Sequence, residues 1–383
     1  MHFGRVVFAA AALIGASATA APIKIGVINS ITGPEAPIGE DLTNGIKLAI
    51  EDLKKKNIDV QVVWEDDTGK PQVGISAMEK LATRDNVVGV VGAYTSAVTS
   101  VVAKTAERYK VPMVNPVASK EEITRQGYKY VFRVSATTND YAAVLLDMAT
   151  AFGQPKTIAI LNENTDFGVS GGRSAQELAE KKGMKVVFHE AYSKGSPDYR
   201  STLVNVKNAN ADLVFMVSYV ADAILLMRQS REINLSPMAF LGAGAGFSNA
   251  QFAKEQQVSN GIFSSTQWTP AVAWPGAKEF AKTYQERYGK QASYHAATAY
   301  TAMWILAHAA AQANGDREKT KQALDTGTWE TIDGTVKFAD YEGYTNQNKH
   351  QMLVEQIQNG KFITAWPKEL QSGKPIWPFP GWK

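Results

Sequence analysis

The sequence predicts an α/β protein of two doubly wound, mostly parallel-sheet lobes joined by a three-segment hinge. Three observations carry this. Between residues 23 and 133, short β-branched runs alternate with segments of helical apolar spacing, the pattern of a parallel sheet covered on both faces. The same rhythm restarts at Asp140 and runs to Thr266. The section beyond Thr266 is too short for a third sheet and is expected to complete both halves. The chain would then cross between lobes near residues 139, 267 and 345. That assigns 21–139 and 268–345 to one lobe, and 140–267 and 346–383 to the other. Three crossings make a hinge, and a hinge between two such lobes makes a clamshell.

In the first half, residues 23–29, 60–64, 87–91, 111–114 and 130–134 read as strands. Residues 39–56, 72–84 and 96–109 read as helices. In the second half, helices are expected at 140–152, 171–182, 197–208 and 221–231. Ser196 would cap the third of these, with Pro197 at its first position. Strands fall at 157–161, 185–189, 213–217, 238–241 and 261–266. The last section has helices at 275–288, 294–313 and 317–325, and strand-like runs at 334–338, 352–357 and 362–365. Pro375, Pro378 and Pro380 mark an extended surface tail.

Residues 1–20 are not fold. His2 and Arg5 precede an apolar stretch over 6–16, and Ala18-Thr19-Ala20 has the small-x-small pattern of a cleavage site. This reads as a secretory signal peptide, too short to span a bilayer and expected to be cut near Ala20/Ala21. Residues 296–313 are the next most apolar, but Thr298, Thr301, His308 and Gln312 make them a buried helix. The 383 residues contain no cysteine, so no disulfide or cysteine metal cluster is possible. An exported, cysteine-free chain of this size fits a Gram-negative periplasm. Lys and Arg total 40 against 37 Asp and Glu, with no basic stripe interleaved with aromatics. Nucleic acid is therefore not an expected partner.

No catalytic set stands out. Gly168-Val169-Ser170-Gly171-Gly172 lacks the G-x-S-x-G spacing and is expected in a loop. His189, His295, His308 and His350 show no metal-ligand spacing. Asp66-Asp67 is explained by a strand-end turn. Gly242-Ala243-Gly244-Ala245-Gly246 is not a dinucleotide fingerprint, because no acid stands at the required distance beyond it. Its glycines either bring backbone, at Gly244, close to a ligand or simply turn the chain. No cofactor and no metal is expected, and the chain reads as a non-enzyme.

Binding has more support. Gly92 to Ser96 and Val114 to Ser119 each come after an apolar run and carry hydroxyls into a turn expected to open a helix. The ordinary reading of Ser96 and Ser119 is a helix N-cap. Strand ends of this kind are also where open α/β sheets bind ligands, and helix-entry N–H groups receive carboxylates. Tyr94, Phe167 and Tyr219 come after strands too, and would offer rigid contact area to a cleft.

With these positions in place, the chain resembles the leucine/isoleucine/valine-binding protein family, the type I periplasmic solute-binding proteins of ABC importers. The likeness rests on an ordered series along the mature chain. It comprises Ile25-Gly26-Val27, Ser30-Ile31-Thr32-Gly33-Pro34 with Gly39, and Trp64-Glu65-Asp66-Asp67. Gly92 to Ser96, Pro112 to Ser119, Phe132-Arg133 to Asp140 and Asp198-Tyr199 to Asp212 complete it. The resemblance implies a clamshell that binds a small carboxylate, an amino acid or a related organic acid, and delivers it to a membrane permease. A monomer is expected. It also implies that Ser96 and Ser119 hold a carboxylate, that the Val117 carbonyl contacts an α-amine, and that Phe167 and Tyr219 are cleft aromatics. Ile38 stands where branched-chain binders carry an aromatic. The acidic partner for an ammonium is missing from the 242–245 loop, which favours a carboxylate without the amine, aromatic acids included. Asp140 or Asp222 is the alternative counter-charge. A sensory module with the same architecture is the other alternative.

Overall fold

Strand pairing sorts the chain into two seven-stranded sheets of one design. The computed structural model describes residues 22–382, so the expected leader lies outside the described residues. The first run comprises β1 (Ile23–Asn29), α1 (Ala36–Lys55), β2 (Val60–Asp66), α2 (Pro71–Thr83), β3 (Gly89–Gly92), α3 (Ser96–Tyr109), β4 (Met113–Asn115) and β5 (Val131–Arg133). The second begins with α4 (Thr138–Gly153), β6 (Thr157–Glu163), α5 (Asp166–Lys181), β7 (Lys185–Tyr192) and α6 (Arg200–Asn208). It continues through β8 (Leu213–Val217), α7 (Val220–Glu232), β9 (Ala239–Gly242), α8 (Ala250–Lys254), α9 (Gln256–Ser259) and β10 (Phe263–Thr266). The third run opens with α10 (Ala277–Tyr288), α11 (Tyr294–Gln312) and α12 (Arg317–Thr326). It ends with β11 (Trp329–Thr331), β12 (Gly334–Val336), β13 (Phe338–Tyr341), β14 (Tyr344–Asn348), β15 (Leu353–Gln358) and β16 (Lys361–Trp366).

The first sheet runs β13-β14-β5-β4-β3-β1-β2 and the second β16-β15-β10-β9-β8-β6-β7. The five strands of each run pair in parallel, and β13 and β15 supply antiparallel neighbours. β3 and β8 are buried along their whole length, as expected of strands sandwiched between helix layers. α11 is alanine-rich and packs on α1 and on β3. Among the described residues no helix is long and apolar enough to cross a membrane.

The chain leaves the first sheet after β5, returns after β10, and leaves again between β14 and β15. β14 pairs with β5 through Gln347 and Arg133. The last passage therefore lies over residues 349–352, later than the expected 345.

Other differences are local. α5 begins at Asp166, where the Thr165 hydroxyl accepts the Gly168 N–H at 3.1 Å. Residues 168–172, expected as a loop, are therefore helical. Gly168 is there for closeness, since a Cβ would lie 2.0 Å from the Glu163 carbonyl oxygen. α6 begins at Arg200 rather than 197, because Asp198 takes the Arg200 N–H at 3.0 Å and holds the preceding residues in a turn. The proline-rich tail is anchored rather than merely laid on the surface. Phe379 and Trp382 pack on Phe240, and Trp377 on Phe152 and Phe263.

Candidate ligand-binding cleft

Two strand ends of the first sheet build one wall. After β3, Thr95 caps α3 by accepting the Val98 N–H at 3.3 Å. Ser96 is therefore the first helical residue and not the cap. After β4, the Asn115 side-chain oxygen accepts the N–H groups of Val117 (3.0 Å) and Ala118 (2.9 Å), and its amide nitrogen donates to the Ala118 carbonyl (2.8 Å). That turn presents Val117 and Ser119. Ser119 opens no α-helix; a short 3-10 turn, Glu121–Thr124, comes next. The Ser96 hydroxyl accepts the Lys120 N–H at 3.3 Å and ties the two loops together.

The second sheet faces this wall with its own strand ends. Phe167 lies in the first turn of α5, Tyr219 immediately precedes α7, and Ala245 comes just after β9. Tyr141 comes from α4, and Tyr294 and His295 from the start of α11. These residues, with Tyr94, Ser96, Val117, Ala118 and Ser119, enclose one space of about 10 Å³. That is at the lower limit for one water molecule, about 10–15 Å³. Rings occupy the rest. Tyr219 meets Tyr94 edge-on at 5.7 Å and Phe167 at 5.4 Å, and Tyr294 stacks on His295 at 3.9 Å. The Tyr219 hydroxyl accepts the Ser96 backbone N–H. An organic ligand enters only when these rings or the lobes part.

Polar contacts clamp the lobes around the space. Lys120 pairs with Asp166 and Arg173 with Glu122, each at 2.6 Å. Lys194 pairs with Glu35, its ammonium 4.5 Å from the centre of the Tyr219 ring.

Not every expected residue reaches the space. Ile38 is buried in α1 and does not line it. Gly244 lies just behind the lining at a φ of +59°, where a Cβ would stand 3.0 Å from the Tyr294 hydroxyl and 3.3 Å from the Tyr141 ring. Asp140 accepts the N–H and hydroxyl of Thr137, both at 2.8 Å, in a capping box on α4. Asp222 accepts the Gly195 N–H at 3.0 Å. The lining thus contains no carboxylate. Glu163 stands behind Tyr219, accepting the Thr165 hydroxyl at 2.6 Å and the Tyr219 N–H at 3.1 Å. Burial pushes its carboxyl up to about 7.

Tyr141, Tyr294, His295, Ala118 and Ala245 line the space without being expected there. The start of α4, which carries Tyr141, offers a usable signal, since it comes soon after a crossing between lobes, whereas α10 intervenes before Tyr294 and His295. His295 is fully buried, and neither ring nitrogen has a partner. Burial drives it down to about 3, so it is neutral. Larger hollows exist elsewhere, including one of about 530 Å³ lined by α1, α10 and α11. It is crossed by the Arg287–Glu51 ion pair and has no converging strand ends.

The family model described as periplasmic binding protein matches residues 22–361. The Leu/Ile/Val-binding protein homolog 7 of Brucella suis is 27% identical over 380 residues, covering 94% of each chain. The leucine-binding protein LivK of Thermotoga maritima superposes with a TM-score of 0.81 at 23% identity, covering 90% of this chain and 98% of its own. A solute-binding protein of an R. palustris ABC transporter, solved with benzoate, gives a TM-score of 0.81 at 18% identity, with 90% and 95% covered.

Proposed function

Given that the chain belongs to the periplasmic binding protein family, a family of binding proteins and not of enzymes, we propose that it captures an aromatic carboxylate without an α-amine. The acid would be held between the lobes and delivered to the membrane permease of an ABC importer, with the protein acting as a periplasmic monomer. The composition of the lining carries this reading. Serine hydroxyls and the N-terminus of α3 suit a carboxylate, five aromatic rings and one imidazole suit a planar ring, and no acid is present for an ammonium. An ammonium closed into such a space without a counter-charge would cost several kcal/mol. The benzoate complex of the R. palustris neighbour supports the same chemistry.

In this mechanism the open first lobe takes the carboxylate at Ser96 and Ser119. The Tyr219 hydroxyl gives up the Ser96 N–H to it. The second lobe then closes Phe167 and Tyr219 over the ring, held by the Lys194–Glu35 and Lys120–Asp166 pairs. The closed shape is what a permease would recognise.

Calorimetric titration with benzoate and with leucine tests the reading. Benzoate is expected to bind and leucine not. Ser96→Ala and Ser119→Ala should each weaken benzoate about tenfold, the worth of a hydrogen bond to a charged group. Tighter binding of leucine, or unchanged affinity in both variants, would overturn it.

A further inference from the structure

We propose that His295 and the Tyr94 hydroxyl select a ring that carries a hydroxyl group, so that the ligand is a hydroxylated aromatic carboxylate. This rests on the aromatic-acid reading above and adds to it the substituent that the site recognises.

Three buried polar atoms on two residues that line one space are the starting point: Nδ1 and Nε2 of His295 and the hydroxyl of Tyr94. None has a partner, although both residues line the cleft and their rings lie 6.0 Å apart. Buried polar atoms are overwhelmingly paired, and leaving one unpaired costs free energy. A phenylalanine at 295 could stack on Tyr294 without that cost. The imidazole is held firmly, with Tyr294 stacked on it at 3.9 Å and Tyr94 edge-on. It is a fixed hydrogen-bonding edge, not a mobile side chain.

The kind of partner is set by what these atoms can exchange. A neutral imidazole presents one donor and one acceptor, and a tyrosine hydroxyl can do either. A carboxylate at this end would only accept, leaving the imidazole acceptor unpaired. An ammonium would only donate, and no acid lines the space to balance its charge. A phenolic hydroxyl both donates and accepts. It can give its proton to the imidazole acceptor while receiving one from Tyr94, and so serves two of the three atoms, the acceptor that a carboxylate cannot serve among them. The carboxylate of the same ligand remains with Ser96 and Ser119. Sites built to hydrogen-bond a ligand hydroxyl discriminate strongly against analogues that lack it, because their own polar atoms are then stranded.

Calorimetry with benzoate, 3-hydroxybenzoate and 4-hydroxybenzoate on the wild type, His295→Phe and Tyr94→Phe decides the matter. One hydroxybenzoate is expected to bind the wild type about 10- to 100-fold more tightly than benzoate. That ratio should collapse towards unity in His295→Phe and shrink in Tyr94→Phe, which removes a single oxygen and spares the fold. Equal affinities for all three acids in the wild type, or a ratio that survives both substitutions, would overturn the inference while leaving the aromatic-acid reading intact. Failure of all three acids to bind would overturn both.

Discussion

The rings of Tyr94 and Tyr219, brought from opposite sheets, meet edge to face with their centroids 5.7 Å apart. Tyr219 also commits its hydroxyl to the Ser96 N–H, the donor that a ligand carboxylate would use. Under the proposed function the side chain would compete with the ligand through its oxygen and assist it through its ring. Tyr219→Phe removes only the competition and is expected to tighten binding about two- to tenfold, within the range of one hydrogen bond. Tyr219→Ala removes the stacking surface and should weaken binding at least tenfold. Titration of both variants with the same acid checks the pair, and equal losses in both would contradict it.

Glu35 is 4% exposed, and Lys194 reaches it across the cleft while covering Tyr219. Removing the lysine leaves a buried carboxylate without its partner, which costs more than an exposed pair would. Lys194→Met is expected to weaken ligand binding about tenfold by disfavouring the closed form, and to reduce the dependence of affinity on salt. Titrations at low and high ionic strength measure both effects. An affinity unchanged at either would remove this pair from the closing mechanism.

Glu355 on β15 is buried beside the second sheet's serines, with one carboxylate oxygen unpartnered, and burial pushes it up from 4.5 to about 8. Its folded form holds a proton that the unfolded chain loses near pH 4.5. The stability it contributes is complete below that pH and disappears as the pH rises through about 8. Glu163, raised to about 7 by burial, acts with the same sign. Glu355→Gln should therefore raise the melting temperature more at about pH 9 than at about pH 5, with a gain of roughly 1–3 kcal/mol at the alkaline end. Melting curves across that range would show the wild-type decline flattened, with the part due to Glu163 remaining. A parallel decline in both proteins would contradict the assignment.

How far the sequence can be read depends on where its signals lie. The central strands announce themselves because both faces are buried, as in the wholly apolar β8. β13 and β14 do not, since an edge strand such as Phe338–Tyr341 is half exposed and carries charge. In the cleft, Tyr94, Ser96, Val117, Ser119, Phe167 and Tyr219 all lie just beyond strands, where strand-end reasoning finds them. Tyr141 lies at the start of α4, just after the first crossing, whereas Tyr294 and His295 lie on α11, which the folding of the third run against the first brings in. Asp140 reads as an available charge because a capping box and a ligand site draw on the same residue types. Its hydrogen bonds to Thr137 settle its role as a cap.

Arg133 is completely buried under the Val117–Ser119 loop, and four of its five N–H groups donate hydrogen bonds. Nε donates to Gln347 at 2.5 Å, Nη1 to the carbonyls of Lys120 (2.7 Å) and Ala118 (3.3 Å), and Nη2 to Thr124 at 2.7 Å. One side chain thus links β5, the segment from Ala118 to Thr124 and β14, which comes from the far end of the chain. A lysine could bring the charge but not the planar set of donors, so several of these acceptors would be stranded in the interior. Arg133→Lys is therefore expected to cost about 2–4 kcal/mol of stability. Because the loop that presents Val117 and Ser119 hangs from the same guanidinium, affinity should fall together with the melting temperature. Calorimetry at a temperature where the variant remains folded separates the two effects. A variant that melts earlier but binds as tightly as the wild type would confine Arg133 to holding the sheet together.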